Sequence, residues 1–356
     1  MRLDMRVNSK TKLTGLIGNP LGHTVSPFLQ NSLFSSMGIN GIYIPLCVPD
    51  GRLRDAVKGL EAFGFMGFNV TIPYKRAVME CLDEISEEAE LLGAVNTVKI
   101  TEDSLTGKFR LWGHNTDGDG FIRAFHEQAG TSFADKKVCM LGAGGTARAL
   151  TIKVALEGAE SICIINRTES KAQELAEKVK QIIKSKAETA TESRNEAAAE
   201  CVNEPDTKLA NGPTDEQFSE PAIESINKPA VTIAPEYLRS EEITAAAFGS
   251  TQSLRALEQC DIIINATSVG MYPDIKSSPL EESFPFRPNQ IIYDVIYNPV
   301  ETKLMSLARS KGCIAINGAG MLFYQGVKAF EVWMDKVVPK KILNDLSNAF
   351  IKYLES

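Results

Sequence analysis

Four short clusters in the first third of the chain hold most of the polar groups able to do chemistry. They are Asn19-Pro20 through Thr24 and Ser26; Asn69, Thr71 and Lys75; Asn96-Thr97; and Asn115-Thr116-Asp117. Taken singly, such residues serve turns and helix caps. Together they offer many hydroxyl and amide groups, which suits a polyhydroxylated ring because each buried substrate hydroxyl needs a hydrogen-bond partner. Asn69 and Thr71 stand two apart in a strand-like run, so their side chains share a face. Pro73 ends that run and is expected to deliver Lys75 onto the start of a helix.

A second centre lies in the middle of the chain. Gly142-Ala143-Gly144-Gly145-Thr146-Ala147 follows the apolar run Val138 to Leu141 and precedes a helix-like stretch that stops at Gly158. A glycine turn between a strand and a helix is the context a dinucleotide fingerprint requires, with Ala147 an accepted third residue. Gly142 permits the tight turn, Gly144 admits a pyrophosphate, and the helix N-terminus attracts its charge. The next strand ends in Asn166-Arg167-Thr168, with Lys171 after it. An NAD site usually places an acid there for the ribose 2′-hydroxyl. A guanidinium instead pairs with a 2′-phosphate, so NADP is the expected cofactor. Glu169 is the one dissonant charge and is expected to face solvent.

Alternating strand-like and helix-like segments carry these groups and predict an α/β fold with mainly parallel sheets. Strands are expected at Leu13 to Gly18, Ile42 to Val48, Phe65 to Ile72, Val95 to Ile100 and Phe109 to Trp112, then at Val138 to Leu141, Ser161 to Ile165, Asp261 to Ala266, Gln290 to Val295 and Cys313 to Asn317. Ser26 is read as the N-cap of a first helix with Pro27 behind it. Helices are also expected over Arg52 to Phe63, from Pro73 to about Leu82, over Ser86 to Leu92, Gly118 to Gln128, Met321 to Asp335 and Lys341 to Leu354. Asn166 and Asn265 are 99 positions apart. A helix, a strand and two loops need only ~40 residues. The Ala-, Glu- and Lys-rich stretch at about 180–240 therefore reads as an insertion, partly helical or disordered.

The chain has 356 residues and a net charge of −7, which argues against nucleic acid as a partner. Its seven cysteines are scattered and never spaced CxxC, so free thiols in a reducing compartment are expected. Three histidines without paired Cys/His spacing argue against a metal centre. Met1 to Lys12 is polar, and no run of 18 apolar residues occurs, so neither a signal peptide nor a membrane partner is expected, and the cytoplasm is the expected location.

Gly18-Asn19-Pro20-Leu21-Gly22-His23-Thr24-Val25-Ser26-Pro27 resembles the opening motif of the shikimate dehydrogenase family, and Asn69-Val70-Thr71-Ile72-Pro73-Tyr74-Lys75 resembles its catalytic-lysine motif. Gly93-Ala94-Val95-Asn96-Thr97, Asn115-Thr116-Asp117-Gly118, the glycine turn, Asn166-Arg167-Thr168, Asn265 to Met271 and Gly318 to Gln325 continue the likeness in family order. The resemblance spans nearly the whole chain outside the insertion. It implies NADP-dependent reduction of 3-dehydroshikimate to shikimate on the route to chorismate and the aromatic amino acids, by a monomer or homodimer. Lys75 and Asp117 would form the catalytic pair. Thr24 and Ser26 would hold the substrate carboxylate, and Asn69, Thr71, Asn96, Asp117 and Gln325 its hydroxyls. Ala266, Thr267, Ser268, Val295, Gly318 and Met321 would join Gly142 to Ala147, Asn166 to Thr168 and Lys171 at the cofactor. The implied layout is a substrate-binding and catalytic domain at 1–117, a Rossmann-type NADP domain at 118–317, and C-terminal helices at 318–356 packing back on the first domain. Thr24 departs from the family's usual serine, which leaves a quinate or dual-specificity dehydrogenase as the alternative. A non-catalytic ligand-sensing protein on the same scaffold is the alternative of another class.

Overall fold

The computed structural model describes residues 7–22, 24–103, 105–202 and 240–355. The first half runs β1 (Lys12–Gly18), α1 (Ser26–Ser36), β2 (Gly41–Cys47), α2 (Leu53–Ala62), β3 (Phe65–Val70), a 3₁₀ turn (Ala77–Cys81), β4 (Glu84–Ile85), α3 (Glu87–Leu92), β5 (Thr97–Glu102), β6 (Phe109–His114) and α4 (Asp117–Ala129). The second runs β7 (Lys137–Leu141), α5 (Gly145–Leu156), β8 (Ser161–Asn166), α6 (Glu169–Val202), a 3₁₀ turn (Ser240–Glu242), β9 (Ile243–Ala247), α7 (Thr251–Gln259), β10 (Ile262–Asn265), β11 (Ile291–Asp294), α8 (Lys303–Ser310), β12 (Ile314–Ile316), α9 (Ala319–Met334) and α10 (Lys340–Glu355).

Two six-stranded sheets result. The first, ordered β2-β1-β3-β5-β6-β4, is mixed, with β1 parallel to β2 and β3, and β5 antiparallel to β3 and β6. The second, ordered β12-β11-β10-β7-β8-β9, is parallel throughout. Its central strands are apolar on both faces, as a sheet covered by helices on both sides requires. Val138, Met140, Ile162, Ile164, Ile262 and Ile264 pack on the side of α5 and α6. The alternate residues Cys139, Leu141, Cys163, Ile165 and Ile263 pack on the side of α7 and α8. Cys139, Cys163, Cys260 and Cys313 are thus buried free thiols, while Cys47 is exposed.

Helices α4 and α9 join the two sheets. Phe121 and Phe125 of α4 pack into the parallel-sheet core, and Ala124 packs with Phe330 and Trp333 of α9 against the mixed sheet. The crossing is close because Gly120 has no side chain; a Cβ there would lie 2.5 Å from the Gln325 amide nitrogen. This contact brings the first turn of α4, with Asp117, beside the middle of α9, with Gln325.

Some local expectations fail for identifiable reasons. Val25, not Ser26, is the N-cap of α1 and makes no side-chain cap bond; Ser26 is already helical. The segment after Pro73 makes a single 3₁₀ turn at Ala77–Cys81 rather than a helix, so Lys75 sits in a turn. Strand β3 stops at Val70, one residue short of Thr71. Within α6, Ala172, Leu175, Ala176, Val179 and Ile183 face the core at helical spacing, and the helix continues beyond them to Val202. The rest of the stretch read as an insertion, 203–239, lies outside the described residues.

Lys153 of α5 ties this layer to the first half. Its Nζ lies 2.8 Å from Glu88 of α3 and 2.9 Å from Asp119 of α4, and His114 Nε2 stands 3.5 Å from Asp119. Glu88, His114 and Asp119 lie close enough to share a cation, and the Lys153 ammonium is the cation paired with both carboxylates. Burial pushes the Asp119 carboxyl up, but the His114 hydrogen bond and the Lys153 charge outweigh it and hold the group well below the usual carboxylate range. A depressed pKa contributes stability above the unfolded value of about 3.9 and loses it as pH falls towards the folded value. We expect Lys153→Met to cost about 1–2 kcal/mol at pH 7, between exposed and buried pairs. Urea unfolding at pH 7 and pH 3 checks this: the gap between wild type and variant should narrow at pH 3.

Candidate active site

Lys75 and Asp117 meet where the two halves of the molecule face each other. Lys75 Nζ donates to Asp117 Oδ2 at 2.6 Å, and the two side chains are 31% and 23% exposed, enclosed yet reachable. Asp117 is fixed from three directions. Asn96 Nδ2 donates to its Oδ1 at 2.8 Å. Its backbone N–H donates to Asn115 Oδ1 at 3.0 Å. It opens α4, whose N-terminal dipole favours a carboxylate. Asn96 is held in turn: its Oδ1 accepts from the Thr116 amide at 2.9 Å and from Thr97 Oγ1 at 2.9 Å. Asn69 Nδ2 donates to the Asn96 carbonyl at 3.1 Å, and Asn69 Oδ1 accepts from Tyr43 Oη at 2.9 Å. Burial pushes the Tyr43 phenol far above its ordinary pKa, so it stays a donor.

This network walls a polar cavity of about 320 Å³. Thr24 and Ser26 line it, with the Ser26 amide 3.4 Å from Thr24 Oγ1. Asn69, Thr71, Asn96 and Gln325 line it too, as do Lys75 and Asp117. Gln325 is oriented by a bond from its Nε2 to the Leu322 carbonyl at 2.9 Å. All seven residues expected at a substrate therefore share one cavity with Lys75. Tyr297 and Leu322 also line it and were not anticipated; neither carries a polar spacing that would have marked it.

A larger groove of about 610 Å³ lies on the other side of the same pair, and Lys75 and Asp117 line both spaces. It is lined by the glycine turn and the start of α5, namely Ala143, Gly144, Gly145 and Thr146, and by Met321 of α9. Gly142 has φ +109, and a Cβ there would lie 3.0 Å from the Ala266 carbonyl. The turns after β7 and β10 thus touch where the strand order reverses, the crevice where open parallel sheets bind ligands. No side chain caps α5, whose N-cap is Gly144, so its first N–H groups are open to a phosphate. Ala147 is fully buried against the sheet. The turn, the uncapped helix and the groove fit a dinucleotide.

Asn166, Arg167 and Thr168 stand at the end of β8, outside the groove lining, with Asn166 Nδ2 bonded to the Thr168 carbonyl at 2.9 Å. Arg167 is exposed, as is Glu169. Lys171 does line the groove, and so do Lys178 and Arg148, which sequence reading missed. The seven-residue step from Lys171 to Lys178 is the signal that would have found Lys178, since it repeats one helix face. Arg148 reaches across to the first half and donates to the Leu91 carbonyl at 2.9 Å. Ala266, Thr267, Ser268 and Val295 follow the ends of β10 and β11, and Gly318 bonds back through its N–H to the Ile296 carbonyl at 3.0 Å.

Two family models match the chain: the shikimate dehydrogenase substrate binding domain over residues 16–98 and shikimate / quinate 5-dehydrogenase over 124–200. The chain is 34% identical over 345 residues to the shikimate dehydrogenase (NADP(+)) of Methanopyrus kandleri, covering 97% of this chain and 98% of that one. The chain belongs to the shikimate dehydrogenase family. Two solved structures of shikimate dehydrogenases agree in architecture. One, in complex with NADP+, superposes with a TM-score of 0.74 at 32% identity and 99% coverage of both chains. Another, from Listeria monocytogenes in complex with shikimate and NAD, gives 0.73 at 31% identity, with 96% of this chain and 98% of that chain covered. Within the shikimate dehydrogenase fold, the mixed sheet carries the polar cavity and the parallel sheet carries the groove.

Proposed function

We propose that this chain is an NADP-dependent shikimate dehydrogenase that interconverts 3-dehydroshikimate and shikimate. The observation that carries the proposal is that one hydrogen-bonded Lys75–Asp117 pair forms the wall shared by the polar cavity and the cofactor groove. When bound, NADPH supplies the hydride. Lys75 gives a proton to the substrate oxygen as the ketone becomes an alcohol and takes it back in the reverse direction. Asp117 keeps the Lys75 ammonium aimed into the cavity and accepts a bond from a substrate hydroxyl. Thr24 and Ser26 bind the carboxylate, and Asn69, Thr71, Asn96 and Gln325 sort the ring hydroxyls. The first N–H groups of α5 take the pyrophosphate, with Arg167, Thr168 and Lys171 around the 2′-phosphate and Asn166 shaping their turn. Ala266, Thr267, Ser268, Val295, Gly318 and Met321 line the nicotinamide end.

We further assign 1–117 to substrate binding and catalysis, 118–317 to the cofactor domain and 318–356 to helices returning to the first domain. The enzyme would work in the cytoplasm as a monomer or homodimer. Incubating the chain with shikimate and NADP and weighing the product by mass spectrometry tests the proposal. A product lighter by a pair of hydrogen atoms is expected; unconsumed shikimate would overturn it.

Thr24 bears on the choice between shikimate and quinate, which differ at the carboxylate-bearing carbon. Its methyl crowds the end of the cavity where that carbon would lie. Thr24→Ser keeps the hydroxyl and opens space, so we expect the quinate-to-shikimate ratio of kcat/KM to rise by roughly tenfold, the scale of one methyl group. Steady-state kinetics with both substrates measures it.

A further inference from the structure

Asp294 closes β11 with a fully buried carboxylate that lines neither the cavity nor the groove. Burying such a group is costly unless its oxygens are matched by donors. Here three neutral donors meet them. Oδ1 accepts from Asn265 Nδ2 at 3.0 Å and from the Ile296 amide at 3.1 Å, and Oδ2 accepts from Thr302 Oγ1 at 2.7 Å. Burial still pushes the carboxyl up to about 6, against the pull of these bonds.

The bonds lead outward to the turn after β10, whose Ala266 and Thr267 abut Gly142 of the glycine turn. Asn265, also fully buried, turns its Oδ1 to the Thr267 amide at 3.1 Å and to Thr267 Oγ1 at 2.7 Å. Thr267 Oγ1 accepts from the Val269 amide at 3.2 Å. The turn after β10, which presents Ala266 to Ser268, is therefore organised from Asp294 through Asn265. On the other side, the Ile296 amide is held by Asp294 and the Ile296 carbonyl by the Gly318 N–H, which sets the segment from Val295 to Tyr297 against the start of α9. Tyr297 reaches the substrate cavity. Thr302 caps α8 through the Met305 amide at 3.3 Å.

We infer that Asp294 is a positioning residue for the reaction, setting the cofactor-side turn through Asn265 and the Val295–Tyr297 segment through the Ile296 amide. This rests on the dehydrogenase reading above. Its two arms are separable. Asn265→Ala cuts only the cofactor arm, so KM for NADP should rise at least tenfold while KM for shikimate stays within threefold. Thr302→Val removes the bond that leads away from the site, so both KM values and kcat should stay within threefold even if the melting temperature falls. Asp294→Ala should raise both KM values and lower kcat at least tenfold. Asp294→Asn should restore them to within threefold, because its oxygen can still accept from Asn265 and Ile296 and its amide can donate to the Thr302 hydroxyl.

The test is steady-state kinetics on wild type and these four variants, each below its own melting transition. If Asp294→Ala does not fold, the contrast between Asn265→Ala and Thr302→Val decides. Equal effects in those two, or an unchanged KM for NADP in Asn265→Ala, overturn the inference. A wild-type chain without turnover overturns the dehydrogenase reading, and this inference with it; active wild type without the KM split overturns this inference alone.

Discussion

Replacing Lys75 by alanine is expected to lower kcat by about 10²–10⁴-fold, the usual contribution of a positioned proton donor, and to leave NADP affinity within about threefold. The separation follows from where the residue sits. Lys75 lines both the groove and the polar cavity, whereas the proposed phosphate contacts come from the start of α5, Arg167, Thr168 and Lys171. The phosphate end would lose no contact. The variant should fold, because Asp117 keeps its bonds to Asn96 and to the start of α4 and remains partly solvated. Rapid-mixing measurement of hydride transfer, with NADP affinity from a titration, checks both halves. Unchanged turnover would remove Lys75 from the chemistry. Lost NADP binding with lost turnover would make it a structural residue.

Arg167→Ala is expected to lower kcat/KM for NADP by about 10–100-fold, the worth of one charge-assisted contact to a phosphate, and to leave the NAD value nearly unchanged. Arg167 stands exposed after β8, so its loss costs the folded state little. Lys171 lies in the first turn of α6 and lines the groove, so some preference for NADP should persist in the variant and vanish when both are replaced. Steady-state kinetics with both cofactors tests this. An NADP-to-NAD ratio that does not move in Arg167→Ala would shift the recognition of the 2′-phosphate to Lys171 and Lys178.

The polar cavity was legible in the sequence because its residues occur in short clusters that follow strands. The parallel sheet brings the glycine turn to the groove that Lys75 and Asp117 also line. Lys75 could be placed near the site but not in its local conformation. The run after Pro73 has helical residues, yet it is too short to nucleate more than a 3₁₀ turn. Helices α7 and α8 escaped because segments of nine and eight residues carry few repeats of the helical period. Strand β9 escaped because Ile243 to Ala247 is mostly alanine, which signals no strand. Arg148 and Tyr297 escaped for a different reason. Their roles depend on which face of one half meets the other, and no local pattern encodes that. The Asp294 network is similar: Asp294, Asn265 and Thr302 are separate in sequence and meet only when β10 and β11 pair.

In the function proposed above, the Lys75–Asp117 pair is the wall between a shikimate site and an NADP site. The most direct measurement follows the reduced nicotinamide absorbance with shikimate and quinate, each with NADP and with NAD, under one set of conditions. Shikimate with NADP should give the highest kcat/KM, by at least about tenfold over each other pairing, as the contacts to the ring and to the 2′-phosphate require. Efficient oxidation of quinate with NAD, at or above the shikimate–NADP value, would make the chain a quinate dehydrogenase instead.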